Sequence, residues 1–173
     1  MVKKILFTLL VIFIIIQFFR PEKNDSNAQP APLSADYVLS NEVSSILEKA
    51  CDDCHSNHTN YPWYANVQPV AWWLDGHIKD GKRHLNFDDF TNAPIARQNH
   101  KLEEVIEVIE EGEMPLNSYT ALGMHSEANL TEEEKAVLID WAKNQISMLK
   151  DKYPADSLVM KRRQRPQNAA GNH

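Results

Sequence analysis

The sequence predicts an all-α domain, and three observations predict it. Apolar residues recur at helical spacing in four separate stretches. No stretch alternates with period two for more than a few residues, and helix start and stop signals fall where the periodicity begins and ends. In SNEVSSILEKACDDCH, Val43, Ile46, Leu47 and Ala50 form one stripe that runs directly into Cys51. The stretch QPVAWWLDGHIKDG repeats the pattern with Val70, Trp73, Leu74, His77 and Ile78. HKLEEVIEVIEEG puts Leu102, Val105, Ile106 and Ile109 on a third face, with Gly112 where a helix C-terminus favours a left-handed residue. The fourth helix opens on a capping box of Thr131 and Glu134, followed by Val137, Leu138, Trp141 and Ala142. The connections are long, and RHLNFDDFTNAPIARQN has room for an extra helical turn. Loops of that length are uncommon in a small domain unless they wrap something.

The 173 residues divide into four parts. Residues 1–20 carry Lys3 and Lys4 and then an apolar run from Ile5 to Phe19, the pattern of an export signal or signal anchor. Two lysines before the run and one arginine after it keep the N-terminus in the cytoplasm. The nearest small-residue cleavage site, Ser26-Asn27-Ala28, lies well beyond the run, which favours an uncleaved anchor in the inner membrane of a bacterium. Residues 21–39 contain three prolines and little to bury, and read as a flexible linker. Residues 40–150 form the domain. Residues 151–173 carry five basic and two acidic residues with no apolar period, and read as a basic, disordered tail. The domain holds nineteen Asp and Glu against nine Lys and Arg, a net charge of −10. That excludes nucleic acid as a partner, since phosphate binding needs basic surface, and suits redox partner proteins with basic faces.

Both cysteines of the chain lie in CDDCHSNHTNYPWY, residues 51–64. Cys-x-x-Cys-His is the attachment signature of c-type haem. Two thiols add across the vinyl groups of one porphyrin, the two-residue gap lets both sulfurs reach its edge, and the next residue, His55, is held beneath the iron. Two other chemistries compete. A redox disulfide of the thioredoxin type needs a βαβ context, which is absent here. A zinc knuckle of Cys51, Cys54, His55 and His58 would place adjacent residues at two corners of one tetrahedron, and zinc ligand pairs are ordinarily well separated in sequence. The favoured cofactor is one covalently attached haem c per chain, in a periplasmic setting.

The group at the sixth position of the iron decides between electron transfer and catalysis. The best candidate is Met114 in EEGEMPLNSY, just past the glycine stop and before Pro115, which keeps it out of helical geometry. His77 and His125 are the alternatives. The ring of His55 needs an acceptor for its second nitrogen, and the carbonyl of Pro69 is the expected one. Trp63 and Trp73 are expected to supply flat apolar wall to a porphyrin, with Tyr64 and Trp72 beside them.

Taken in order, CDDCHSNHTNYPWYANVQPVAWWLDGHIKDGKRHLNF, EEGEMPLNSY and HSEANLTEEEKAVLIDWA resemble the haem-binding domain family, small single-haem proteins of the exported bacterial fraction. The resemblance covers about residues 40–147. It implies a cytochrome c-like fold with one haem on Cys51 and Cys54, His55 proximal, and Met114 distal by analogy with class I cytochromes c. Electron transfer between partners is the function expected. A peroxidase or small-gas sensor with an open sixth position is the alternative, and an accessory haem module is a third.

Overall fold

The computed structural model describes residues 1–121 and 125–161. Seven α-helices form among these residues: α1 Val2–Ile16, α2 Asn41–Ala50, α3 Asp52–His55, α4 Val70–His84, α5 Ile95–Glu110, α6 Asn117–Thr120 and α7 Glu132–Lys152. No strand occurs among the described residues, only an isolated bridge between Asp25 and His58. The all-α expectation therefore holds.

The largest helix contact is α5 on α7, which buries Leu102, Ile109, Leu138, Ala142, Ile146 and Leu149. Helix α2 lays Val43, Ile46 and Leu47 onto the same core, and Lys49 pairs with Glu134 across the α2–α7 joint. The capping box is formed as expected: Thr131 Oγ1 accepts from the Glu134 amide, and the Glu134 side chain accepts from the Thr131 amide. The irregular connection before α5 contains one 3-10 turn, Phe87–Asp89.

Helix α4 differs from its expected orientation. Its buried face is Ala71, Leu74 and Ile78, and Gly81 continues that row, whereas Trp72 and Trp73 are 43% and 41% exposed. The absence of a side chain at Gly81 lets α4 approach α3 closely, with Leu74 and Ile78 packed beside Cys54. A tryptophan on that face would hold the two helices apart.

Three further expectations are corrected. Residues 21–39 are not a free tether, because Ala31, Leu33 and Tyr37 are buried and the Tyr37 hydroxyl donates to Gln98 Oε1 at 2.6 Å. Asn24 ties the same segment to the motif loop, its side-chain amide donating to Ser56 O and Thr59 Oγ1. At the other end, residues 153–158 fold back and bury Leu158. Of the expected tail, residues 162–173 lie outside the described residues. Finally, α1 has 15 residues, about 22 Å of helix against about 30 Å of bilayer hydrocarbon. No helix of the described residues is long and apolar enough to cross a membrane, so a spanning anchor at 1–20 is not supported. The helix stops where its polar end meets α4. Gln17 Oε1 accepts from the Gln68 amide at 2.9 Å, and Phe19 O accepts from Gln68 Nε2 and from Trp72 Nε1.

Candidate haem site

The CxxCH segment is held from both sides. Helix α2 delivers Cys51, whose carbonyl then accepts from the amides of Cys54 and His55 and so coils α3. From the other side α4 presses Gly81 against α3. A Cβ at Gly81 would lie 2.6 Å from the Cys54 carbonyl oxygen and 3.2 Å from Cys54 Cβ. Both cysteines are free thiols. Burial pushes Cys51 up to about 12 and Cys54 up to about 11, with neighbouring Asp52 and Asp53 adding to it. Redox exchange and zinc binding both need a thiolate, so neither rival chemistry gains from this environment.

His55 Nδ1 lies 2.9 Å from Leu85 O. A carbonyl can only accept, so the ring proton is on Nδ1 and Nε2 keeps its lone pair. Burial lowers the His55 pKa, outweighing the opposing pull of the Leu85 and Gly81 backbone, which keeps the imidazole neutral. A neutral imidazole with one nitrogen fixed by a backbone acceptor is the form that ligates a metal. The acceptor is not Pro69. The Pro69 carbonyl is taken by the Trp73 amide at 3.2 Å, in the first turn of α4. Leu85 instead follows the last residue of α4 and donates its own amide to Gly81 O at 2.8 Å, so one helix end positions the acceptor.

Met114 is positioned by the end of α5. Gly112, at φ +71°, closes the helix: its amide donates to Ile109 O and the Glu113 amide to Val108 O, the paired bonds of a Schellman motif. The Met114 amide also donates to Val108 O at 3.2 Å, which ties the methionine to the helix end.

These elements enclose two cavities that share His55, Cys51 and Met114. The larger, about 530 Å³, is walled by Leu85 and Phe87 on the His55 side, by Val105, Val108 and Ile109 of α5, and by Leu138 of α7. The smaller, about 300 Å³, adds Cys54, Gly81, His77 and Tyr119. The donor set therefore fits a haem: two thiols, a neutral imidazole and a thioether facing apolar space. No group of three or more His, Cys, Asp or Glu among the described residues is placed to hold a bare metal ion, so the four zinc candidates do not converge.

The expected aromatic wall is elsewhere. Trp63 is 80% exposed and Trp73 packs on His77 at 4.3 Å, and neither lines either of these two cavities. Phe87 supplies the flat surface instead, 6.0 Å from the His55 ring. Of the alternative ligands, His77 lines the smaller cavity, with its Nδ1 on Trp73 O at 2.8 Å. His125 stacks on Tyr119 and lines neither cavity. Sequence reasoning missed Gly81, Leu85 and Phe87. The signal available for the last two was their place in HLNF, directly after the basic end of α4.

Asp52 gives a pH-dependence. Burial, then Asp88, Glu48 and Asp53, push its carboxyl up to about 6. The folded-state value is thus above the unfolded one, so the stabilisation is present below about pH 4 and is lost as pH rises through about 6. Asp52→Asn should be more stable than the parent at pH 8 by about 1–2 kcal/mol, after discounting for partial solvent access, and the difference should close at pH 4. Urea unfolding at the two pH values checks it.

No solved structure matches the chain. It is 26% identical over 127 residues to the cytochrome c peroxidase Ccp of Escherichia coli (strain K12), a stretch that is 70% of this chain and 27% of that protein. The chain therefore spans about a quarter of the length of that relative. The family described as haem-binding domain matches residues 11–144, which takes in the packed segment before α2 as well as the helices around the cavities. With haem as the cofactor its cavity fits, the chain belongs to the haem-binding domain family.

Proposed function

We propose that this chain is an exported electron carrier with one haem c, attached through Cys51 and Cys54 and ligated by His55 and Met114. The observation that carries the reading is that Cys51, neutral His55 and Met114 open on the same apolar space. A haem supplies a one-electron redox couple there. The chain's own residues do the rest. His55 is oriented by Leu85 O, Met114 offers a soft sulfur that favours the reduced metal, and the apolar walls exclude water. Glu104, Glu107, Glu111 and Glu113 line the cavity with Lys101 as the basic exception, which suits encounter with a basic redox partner. In this reading the apolar α1, exposed from Val2 to Ile15, is an export signal or a short membrane attachment facing the periplasm.

A second reading, a peroxidase, is favoured by the likeness to the Ccp peroxidase and by His77 lining the smaller cavity. Absorption spectra of the haem-loaded chain, recorded oxidised, reduced and reduced under carbon monoxide, separate the two. A covalent low-spin haem with the weak far-red sulfur-to-iron band and no carbon monoxide shift supports the carrier. A high-spin haem that shifts at once supports the peroxidase. A chain without haem sinks both.

A further inference from the structure

Trp63, expected at the porphyrin face, stands at the far end of an aromatic series that leads back to it. Its ring is 5.8 Å from that of Tyr64, edge-on. Tyr64 is 6.0 Å from His125, again edge-on, and His125 lies flat on Tyr119 at 4.2 Å with 10° between the planes. Tyr119 lines the smaller cavity together with Cys54 and His55. The four residues come from three separate segments, the 3-10 turn Trp63–Asn66, α6, and the start of the 3-10 turn Ser126–Ala128. At the cavity end, the Tyr119 hydroxyl donates to Asp53 Oδ2 at 2.7 Å. At the outer end Trp63 is 80% exposed, an unusual placement for the largest apolar side chain.

We propose that Trp63, Tyr64, His125 and Tyr119 form an electron relay between the haem cavity and the surface at Trp63, with Asp53 as proton acceptor for Tyr119. The inference rests on the haem reading above. Tunnelling between redox groups falls steeply with the gap between them, so a series of π systems in near contact carries charge where aliphatic packing does not. Tyrosine gives up an electron readily only if its phenolic proton leaves with it. Burial and the bond to Asp53 keep Tyr119 protonated, and the Asp53 carboxylate is in place to take that proton.

With a one-electron oxidant at the surface the steps balance. The oxidant takes one electron from the Trp63 indole, whose N–H proton passes to water. Tyr119 refills Trp63 across Tyr64 and His125, passing its own proton to Asp53, and the indole recovers a proton from water. A ferrous haem held in the cavity would then return one electron to Tyr119, which takes its proton back from Asp53. The net result is one electron moved from haem to oxidant, with no proton consumed. A rival path exists, since exposed Trp73 packs on His77, which also lines the smaller cavity. That path has no tyrosine and no hydroxyl–carboxylate pair.

The test is flash-quench oxidation of the ferrous, haem-loaded full chain by photogenerated tris(bipyridine)ruthenium(III). In the parent, an indole-radical absorbance should rise and then decay at the rate at which the haem is oxidised. Tyr119→Phe keeps the ring stacked on His125 but removes the proton donor. It should slow that decay about tenfold, compared at the reduction potential measured for the variant itself because Tyr119 lines the cavity. Trp63→Leu should remove the coupled indole transient, and Trp73→Leu should leave it in place. If Trp73→Leu removes the transient, or if Tyr119→Phe and Trp63→Leu both react like the parent, the relay is overturned with the haem reading intact. A chain that carries no haem fails at the first spectrum and overturns both.

Discussion

Replacing Gly81 by alanine is expected to destabilise the chain by about 1–3 kcal/mol and to lower the yield of attached haem. The added methyl would lie 2.6 Å from the Cys54 carbonyl oxygen. That neighbour is backbone in the centre of the CxxCH turn, so it cannot rotate away as a side chain would. The strain is relieved only by moving α4 off α3. Such a movement carries Leu85 with it, because the Leu85 amide is bonded to Gly81 O, and so withdraws the carbonyl from His55 Nδ1. Loss of stability and loss of a correctly oriented proximal ligand should therefore appear together.

Gly76 is the internal control for that substitution. It occupies the same helix with nothing within 4 Å of its Cβ position, so Gly76→Ala should stabilise by about 0.5–1 kcal/mol through helix propensity alone. Urea titrations of both variants, with the ratio of haem to protein absorbance, make the comparison. Equal effects of the two alanines would remove Gly81 from the account of the site.

The contrast between these glycines also shows where the sequence is legible and where it is not. Periodicity exposed the four main helices, and local chemistry exposed their ends, as at Thr131 with Glu134 and at Gly112. Both are short-range signals, with cause and effect within one turn. The CxxCH motif belongs to the same class: spacing singled out Cys51, Cys54 and His55 as candidates, and the fold brings the three to one cavity. What failed depended on which face of a helix meets another. In α4 the expected stripe of Val70, Trp73, Leu74, His77 and Ile78 holds at Leu74 and Ile78, but the close contact with α3 turns the buried face toward Ala71 and Gly81 and leaves the Trp73 ring outside. That rotation accounts for the misplaced Trp73, while Phe87 provides the flat surface from the following connection. Pro69 failed for a related reason, since a residue that starts a helix has its carbonyl committed to that helix. The segment 21–39 failed because three prolines and many small polar residues mask Leu33 and Tyr37, whose partners lie far along the chain.

Met114→Ala is expected to have the largest functional effect of any substitution outside CxxCH. Met114 shares both cavities with His55, and it is anchored at the end of α5 by the bonds of Glu113 and its own amide to Val108 O. Truncation leaves that backbone intact and removes only the thioether, so the fold should lose little. The haem-loaded variant should bind carbon monoxide about a hundredfold more tightly than the parent, about 2.8 kcal/mol, because no side chain need be displaced. Its reduction potential should fall, since methionine favours the ferrous state. Met114→His provides the second arm. A histidine at the same place restores a strong sixth ligand, so it should suppress carbon monoxide binding while keeping the potential low. Carbon monoxide titration with optical redox titration reads both variants. If alanine at 114 leaves both quantities unchanged, the sixth ligand is not Met114, and His77→Ala becomes the decisive variant because His77 is the histidine besides His55 and His84 that lines the smaller cavity. A carbon monoxide affinity that rises in His77→Ala but not in Met114→Ala would move the distal ligand from the α5 terminus to α4 and leave a closed, bis-histidine carrier, whereas tight carbon monoxide binding already in the parent would shift the balance to the peroxidase.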